Sequence, residues 1–179
     1  MITRLTLLLR GETGSAAVEM ALVTPLLLTL MFGSFELGNY FLDEHVVTKA
    51  VRDGARYAAR LPVTEYYSGN SCSAGPYSGT KLSAIQNVTR TGRSDNTGTP
   101  RLITWTDAST ISVSVACKPV ATYPGIYTGL PGDVPVVTVI ASVPYNTVFS
   151  RLGWQIGRKT ASSTTLNLNA QSQAAVIGI

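Results

Sequence analysis

Residues 15–38 read SAAVEMALVTPLLLTLMFGSFELG, and the placement of charge in this stretch decides the fold. From Met20 to Phe35 there is no charged residue, and Glu19 and Glu36 bound the run. A helix needs about 20 mostly apolar residues to cross about 30 Å of hydrocarbon, so the segment is long enough to span a bilayer. Arg4 and Arg10 precede it, which favours an N-terminus on the cytoplasmic side. Three readings fit: a cleaved secretory signal, an uncleaved signal anchor, and a spanning helix trimmed of a short leader. The first is disfavoured. No small-x-small cleavage site follows the apolar run, which ends in Phe35-Glu36-Leu37-Gly38-Asn39-Tyr40 and is longer than a usual signal core.

Glu19 separates the other two. A carboxylate in a spanning helix costs roughly 2.5–3.5 kcal/mol at the bilayer centre, less near an end, and marks a functional position. A plain anchor would let Glu19 snorkel to the interface. A trimmed helix gives it a task, because Gly14 lies five positions upstream. Cleavage of Gly14–Ser15 would make Glu19 the fifth residue of the mature chain.

Outward from this stretch the helical pattern continues. Pro25 removes one backbone hydrogen bond and tends to kink the axis. Small residues recur four apart at Ala17/Ala21, Ser34/Gly38 and Ala50/Gly54/Ala58, a spacing that lets helices approach closely and points to packing between subunits. Val46, Val47, Ala50, Val51, Gly54, Ala58 and Leu61 form an apolar face, with Lys49, Arg52, Asp53, Arg56 and Arg60 elsewhere. Arg52, Arg56 and Arg60 make an i,i+4 row that reads as a solvated face near the negative helix end. Pro62 should stop the helix near Leu61. One helix from Ser15 to Leu61 would be about 70 Å long at 1.5 Å per residue.

After Pro62 the composition turns to Ser, Thr, Gly, Asn and Tyr, with turn formers dense over 63–100. A short helix is expected over Lys81–Thr89. Strands are expected at Arg101–Thr106, Thr110–Lys118, Val134–Val143 and Thr160–Asn169. Val148–Ile156 reads as a short helix or amphipathic loop anchored by Trp154. The fold class is α+β, a long helix packed on a small antiparallel sheet. Cys72 and Cys117, the only cysteines, both follow the span on the side expected to be oxidising, and so read as a disulfide. Closing 46 residues, it would stabilise by about 4 kcal/mol on the loop-entropy model.

Charge excludes several functions. Of 179 residues 13% are charged, against about 25% in a typical soluble domain. Residues 1–60 balance six bases with six acids, so the net +4 resides in 61–179, too thinly spread for a nucleic-acid binder. No metal site or cofactor motif is present. The segment after Pro62 has no histidine, since His45 lies in the helix, so serine and cysteine nucleophiles lack their usual base. Its acids, Glu65, Asp95, Asp107 and Asp133, are far apart in sequence, and Asp95-Asn96-Thr97-Gly98 reads as a turn and not a calcium loop. No enzymatic activity and no cofactor are expected.

The order Gly14-Ser15-Ala16-Ala17-Val18-Glu19-Met20-Ala21-Leu22-Val23-x-Pro25 resembles the processing site and N-terminal helix of type IV-type prepilins, most closely the TadE/TadG-like pseudopilins of the tight-adherence (Tad) pilus. A second match is Ala50-Val51-Arg52-Asp53-Gly54-Ala55-Arg56-Tyr57-Ala58-Ala59-Arg60, similar to the alanine-rich stretch of that family. Met20 departs from it, standing where such proteins usually have Phe. The resemblance implies a minor pseudopilin cut by prepilin peptidase between Gly14 and Ser15. Glu19 would then pair with the Ser15 amine of a neighbouring subunit during assembly. It divides the chain into a leader (1–14), a transmembrane half-helix (15–38), a periplasmic half-helix (39–61) and a Ser/Thr/Gly-rich β head (62–179). Its implied partners are prepilin peptidase, other pilin or pseudopilin subunits, the assembly platform and the lipid bilayer. It implies a single pass through the bacterial inner membrane, the head periplasmic or carried into an extracellular pilus, and a role in surface adhesion. The alternative from the residues alone is an uncleaved, signal-anchored periplasmic binding domain.

Overall fold

In the computed structural model, which describes residues 13–122, 125–147 and 166–178, the first element is one α-helix, α1 (Thr13–Ala59), of 47 residues. Pro25 lies inside it and has no N–H to give Ala21. Three hydroxyls nearby turn back onto their own helix: Thr24 donates to Met20 O at 2.6 Å, Thr29 to Pro25 O at 2.8 Å and Ser34 to Leu30 O at 2.8 Å. The hydroxyls of this apolar stretch are thus satisfied within the helix, as hydrocarbon requires.

The chain divides into two compact units, Met1–Asn39 and Tyr40–Ile179. In the first, the described residues show an apolar surface with nothing over it; Met20 is 68% and Leu22 75% exposed. In the second, residues 40–59 of α1 join α2 (Leu82–Thr91) and a sheet. A 3₁₀ turn, Val63–Tyr66, leads to the hairpin of β1 (Tyr67–Ser68) and β2 (Ser71–Cys72), which closes through Gly69 at φ 65°. The main sheet contains β3 (Gly75–Pro76), β4 (Ile111–Lys118), β5 (Val134–Pro144) and β6 (Asn167–Ala175), antiparallel in the order β3-β4-β5-β6. The fold is α+β.

Period-two alternation builds the core. Ile111, Val113 and Val115 of β4, Val137, Val139, Ala141 and Val143 of β5, and Leu168 of β6 are buried. They form one cluster with Val47, Ala50, Val51, Ala55 and Ala58 of α1 and Ile85 of α2. Ala55 and Ala59 join the buried face that the periodicity outlined, whereas Val46 is only half-buried. Cys72 and Cys117 are bonded, with Cα atoms 6.0 Å apart, and tie β2 to the end of β4.

Two elements differ from expectation. Arg101–Thr106 is not a strand. Arg101 N donates to Arg90 O (2.9 Å) and Trp105 N to Leu102 O (3.0 Å), so the backbone is spent on α2 and on a turn. Trp105 is buried, and its Nε1 donates to Thr110 Oγ1 at 2.8 Å. The last strand begins at Asn167, where the expected strand was ending, and runs on to Ala175. Residues 160–165 and the whole of Val148–Ile156 with Trp154 lie outside the described residues. The end of α1 is secured from far along the chain. Ile177 N donates to Ala59 O (2.8 Å) and Val63 N to Gly178 O (2.7 Å), while Tyr66 Oη donates to Ala58 O at 2.7 Å. The Ile177 and Tyr66 bonds occupy the Ala59 and Ala58 carbonyls that a helix C-terminus otherwise leaves open, and the Val63 bond holds Gly178 beside them.

Candidate assembly site

Gly14 and Ser15 lie in the first turn of α1. Glycine is a poor helix former, and first turns open most readily, so the Gly14–Ser15 bond sits where local unwinding costs least. A side chain at Gly14 would meet open space, so nothing in the described fold demands glycine there. Glu19 is exposed and lies four residues after Ser15, on the same helical face and one turn away. Ala17, Ala21, Ser34 and Gly38 are also exposed and mark places where a second helix can come close.

Ala50, Gly54 and Ala58 are different. All three are buried within the chain's own fold, so they are not surface for a second subunit. A methyl at Gly54 would collide with Oγ1 of Thr89, a buried residue of α2 whose hydroxyl donates to Ile85 O at 2.8 Å. The close approach of helices that the small-residue spacing foretold takes place here between α1 and α2.

The polar residues after Pro62 are mostly engaged in holding loops. Glu65 Oε2 accepts from Thr80 (3.2 Å) and Tyr77 (3.4 Å). Asp107 accepts from the N–H and hydroxyl of Ser109, which lowers its pKa. Arg93 donates to Asp95, and this bond, with a second from Thr97, holds the carboxyl down at about 2. Asp53 pairs with Arg101 at 2.7 Å, linking α1 to the segment after α2. Arg56 and Arg60, which the sequence presents as a solvated row, line a surface cavity with Tyr57, Gly92 and Ser94. Only the excess of arginines at four-residue spacing hints at that cavity in sequence. Among the described residues no three His, Cys, Asp or Glu side chains group in a way that could hold a metal ion.

α1 is long and apolar enough to cross a membrane, and the window that qualifies is wholly unburied. Residues 14–56 match the family described as TadE-like protein. The chain is TadE-like over this helix. The match runs from the Gly14–Ser15 bond through Arg56 and ends before the β head begins. No curated protein and no solved structure matches the chain. The TadE-like helix supports a part in the Tad pilus with other pilus subunits as partners. With its unburied apolar surface it supports a membrane-anchored protein.

Proposed function

We propose that this protein is a minor pseudopilin of a Tad-type pilus and acts by assembly, not by catalysis. The observation that carries the reading is the conjunction, in one TadE-like helix, of an exposed apolar surface with Gly14-Ser15 and Glu19 at its start. The helix inserts with its N-terminus in the cytoplasm of the inner membrane, and prepilin peptidase cuts between Gly14 and Ser15. The new Ser15 amine and Glu19 are then opposite charges in an apolar setting. Pairing Glu19 with the amine of the next subunit removes two uncompensated charges at once and sets register, because a buried charge left alone is strongly penalised. The small residues Ala17, Ala21, Ser34 and Gly38 allow close helix contact with neighbouring subunits and the assembly platform. The β head faces the periplasm or, after export, the medium, where its uncharged polar surface serves subunit contacts and adhesion.

The test is the mass of the mature chain together with two variants. A Ser15 N-terminus is expected, with loss of processing in Gly14→Leu. Glu19→Ala should insert normally yet fail to support piliation. A chain that keeps Met1 and tolerates both substitutions would instead be a signal-anchored periplasmic domain.

A further inference from the structure

The head carries a surface cavity of about 390 Å³ between the end of α1 and the end of α2, lined by Asp53, Arg56, Tyr57, Arg60, Gly92 and Ser94 among others. Its charges do not balance. Asp53 is taken by Arg101, whose guanidinium lies 3.3 Å from where a side chain at Gly92 would begin. That leaves the cations of Arg56 and Arg60, one helical turn apart, exposed and without a hydrogen-bond or ion-pair partner among the described residues. The helix end does not supply the missing acceptors. Tyr57 O accepts from Arg60 N, Ala58 O from Leu61 N and Tyr66 Oη, and Ala59 O from Ile177 N. These carbonyls already have donors, so the negative helix end stabilises the two cations without binding them, and an anion here must be held by the guanidiniums themselves. Three of the four carboxylates after Pro62 are engaged elsewhere, since Glu65, Asp95 and Asp107 each hold a local loop, and Asp133 is not among the residues lining the cavity.

We propose that this cavity binds a carboxylate side chain of a neighbouring pilus subunit, an inference that rests on the assembly reading above. Guanidinium groups present planar paired donors that match a carboxylate bidentately, and two of them on successive turns discriminate strongly for an anion. Ser94 and Tyr57, both hydroxyl-bearing, belong to the same lining. Gly92 keeps the wall beside Arg101 clear, because its lack of a side chain leaves that guanidinium room.

The experiment uses the full chain in its piliated host, with exposed Ser94 replaced by photoreactive benzoylphenylalanine. Irradiation should yield an adduct to a pilus-subunit peptide that contains Asp or Glu. Its yield should fall at least about tenfold in Arg56→Glu/Arg60→Glu and stay within about twofold in Arg56→Lys/Arg60→Lys, since contacts of this kind depend on charge sign. Both arginines are exposed, so an unchanged melting temperature and an intact Cys72–Cys117 bond serve as the folding control. An adduct indifferent to charge reversal, one formed only with phospholipid, or none at all would overturn the proposal. The N-terminus of the same preparation separates the two readings. Ser15 with a charge-independent adduct sinks the cavity alone; Met1 with a charge-dependent adduct to a pilus subunit sinks processing alone.

Discussion

At Gly54 the helix has given up propensity for proximity. Alanine is favoured over glycine in a helix interior by about 1 kcal/mol, so open space would make Gly54→Ala stabilising. Here the added methyl meets Thr89 Oγ1 in a buried contact, and overpacking of that kind costs about 1–3 kcal/mol. The expected outcome is a lower unfolding midpoint for Gly54→Ala, with much of the loss recovered in Gly54→Ala/Thr89→Ala; strict additivity of the two would argue against the contact. Asp95 gives a prediction in pH. Its folded pKa, about 2, lies below the ordinary 3.8, chiefly through the Arg93 hydrogen bond and then that of Thr97. A depressed carboxyl stabilises the fold above its unfolded pKa, and that contribution is lost as pH falls through the folded value. The turn at 93–98 should thus hold down to about pH 4 and loosen towards pH 2. Carbon-detected NMR should place the Asp95 midpoint near 2 and move it up towards 3.8 in Arg93→Gln.

At the scale of elements, the end of α1 depends on residues more than a hundred positions later. Gly178 packs so closely on the backbone carbonyls of Leu61 and Arg60 that a methyl there has no flexible side chain to push aside. Gly178→Ala should break the Ile177 hydrogen bond that caps the helix, together with the bond from Val63 N to Gly178 O, and lower the melting temperature by several degrees, for a cost of about 1–3 kcal/mol. Gly129→Ala, where added atoms meet open space, is the control and should be near neutral by the same melt. This dependence was invisible in the sequence, since no local pattern tells a chain segment at 176–178 that it will meet residue 59. The long helix was legible because its pattern is local: an uncharged run, a continued apolar face, then Pro62. β4 and β5 were legible for the same reason, through alternation and β-branched residues. Arg101–Thr106 has strand-like composition too, but Arg101 is drawn to Asp53 and to α2, and Trp105 into the core, so tertiary partners overrode propensity. The exposed small residues and Glu19 could be picked out as candidates by spacing. The cavity at Arg56 and Arg60 is hinted at only by the spacing of those arginines, because α2 and the segment after it form its other walls.

For the molecule as a whole, the scarcity of charge has two separate origins. After Pro62 it reflects a surface made polar by hydroxyls and amides, as on β6, where Asn167, Asn169, Gln171 and Gln173 are all exposed. In α1 it reflects an apolar surface larger than a water-soluble monomer ordinarily shows, with Leu22, Leu26 and Leu30 each at least 60% exposed. If lipid covers that surface, one charge in the middle of it should act on the whole protein. Leu28→Arg places a cation within the uncharged run, where insertion costs about 2.5–3.5 kcal/mol more, or roughly a hundredfold in the partition between membrane and water. Ile103→Arg adds the same charge to a loop position already 95% exposed and should leave partition unchanged. Fractionation after alkaline carbonate washing reads both. The expected result is wild type and Ile103→Arg in the membrane pellet, with Leu28→Arg depleted from it. Equal retention of all three would mean that the apolar run of α1 does not bear the anchoring load, and that contacts elsewhere hold the protein at the membrane.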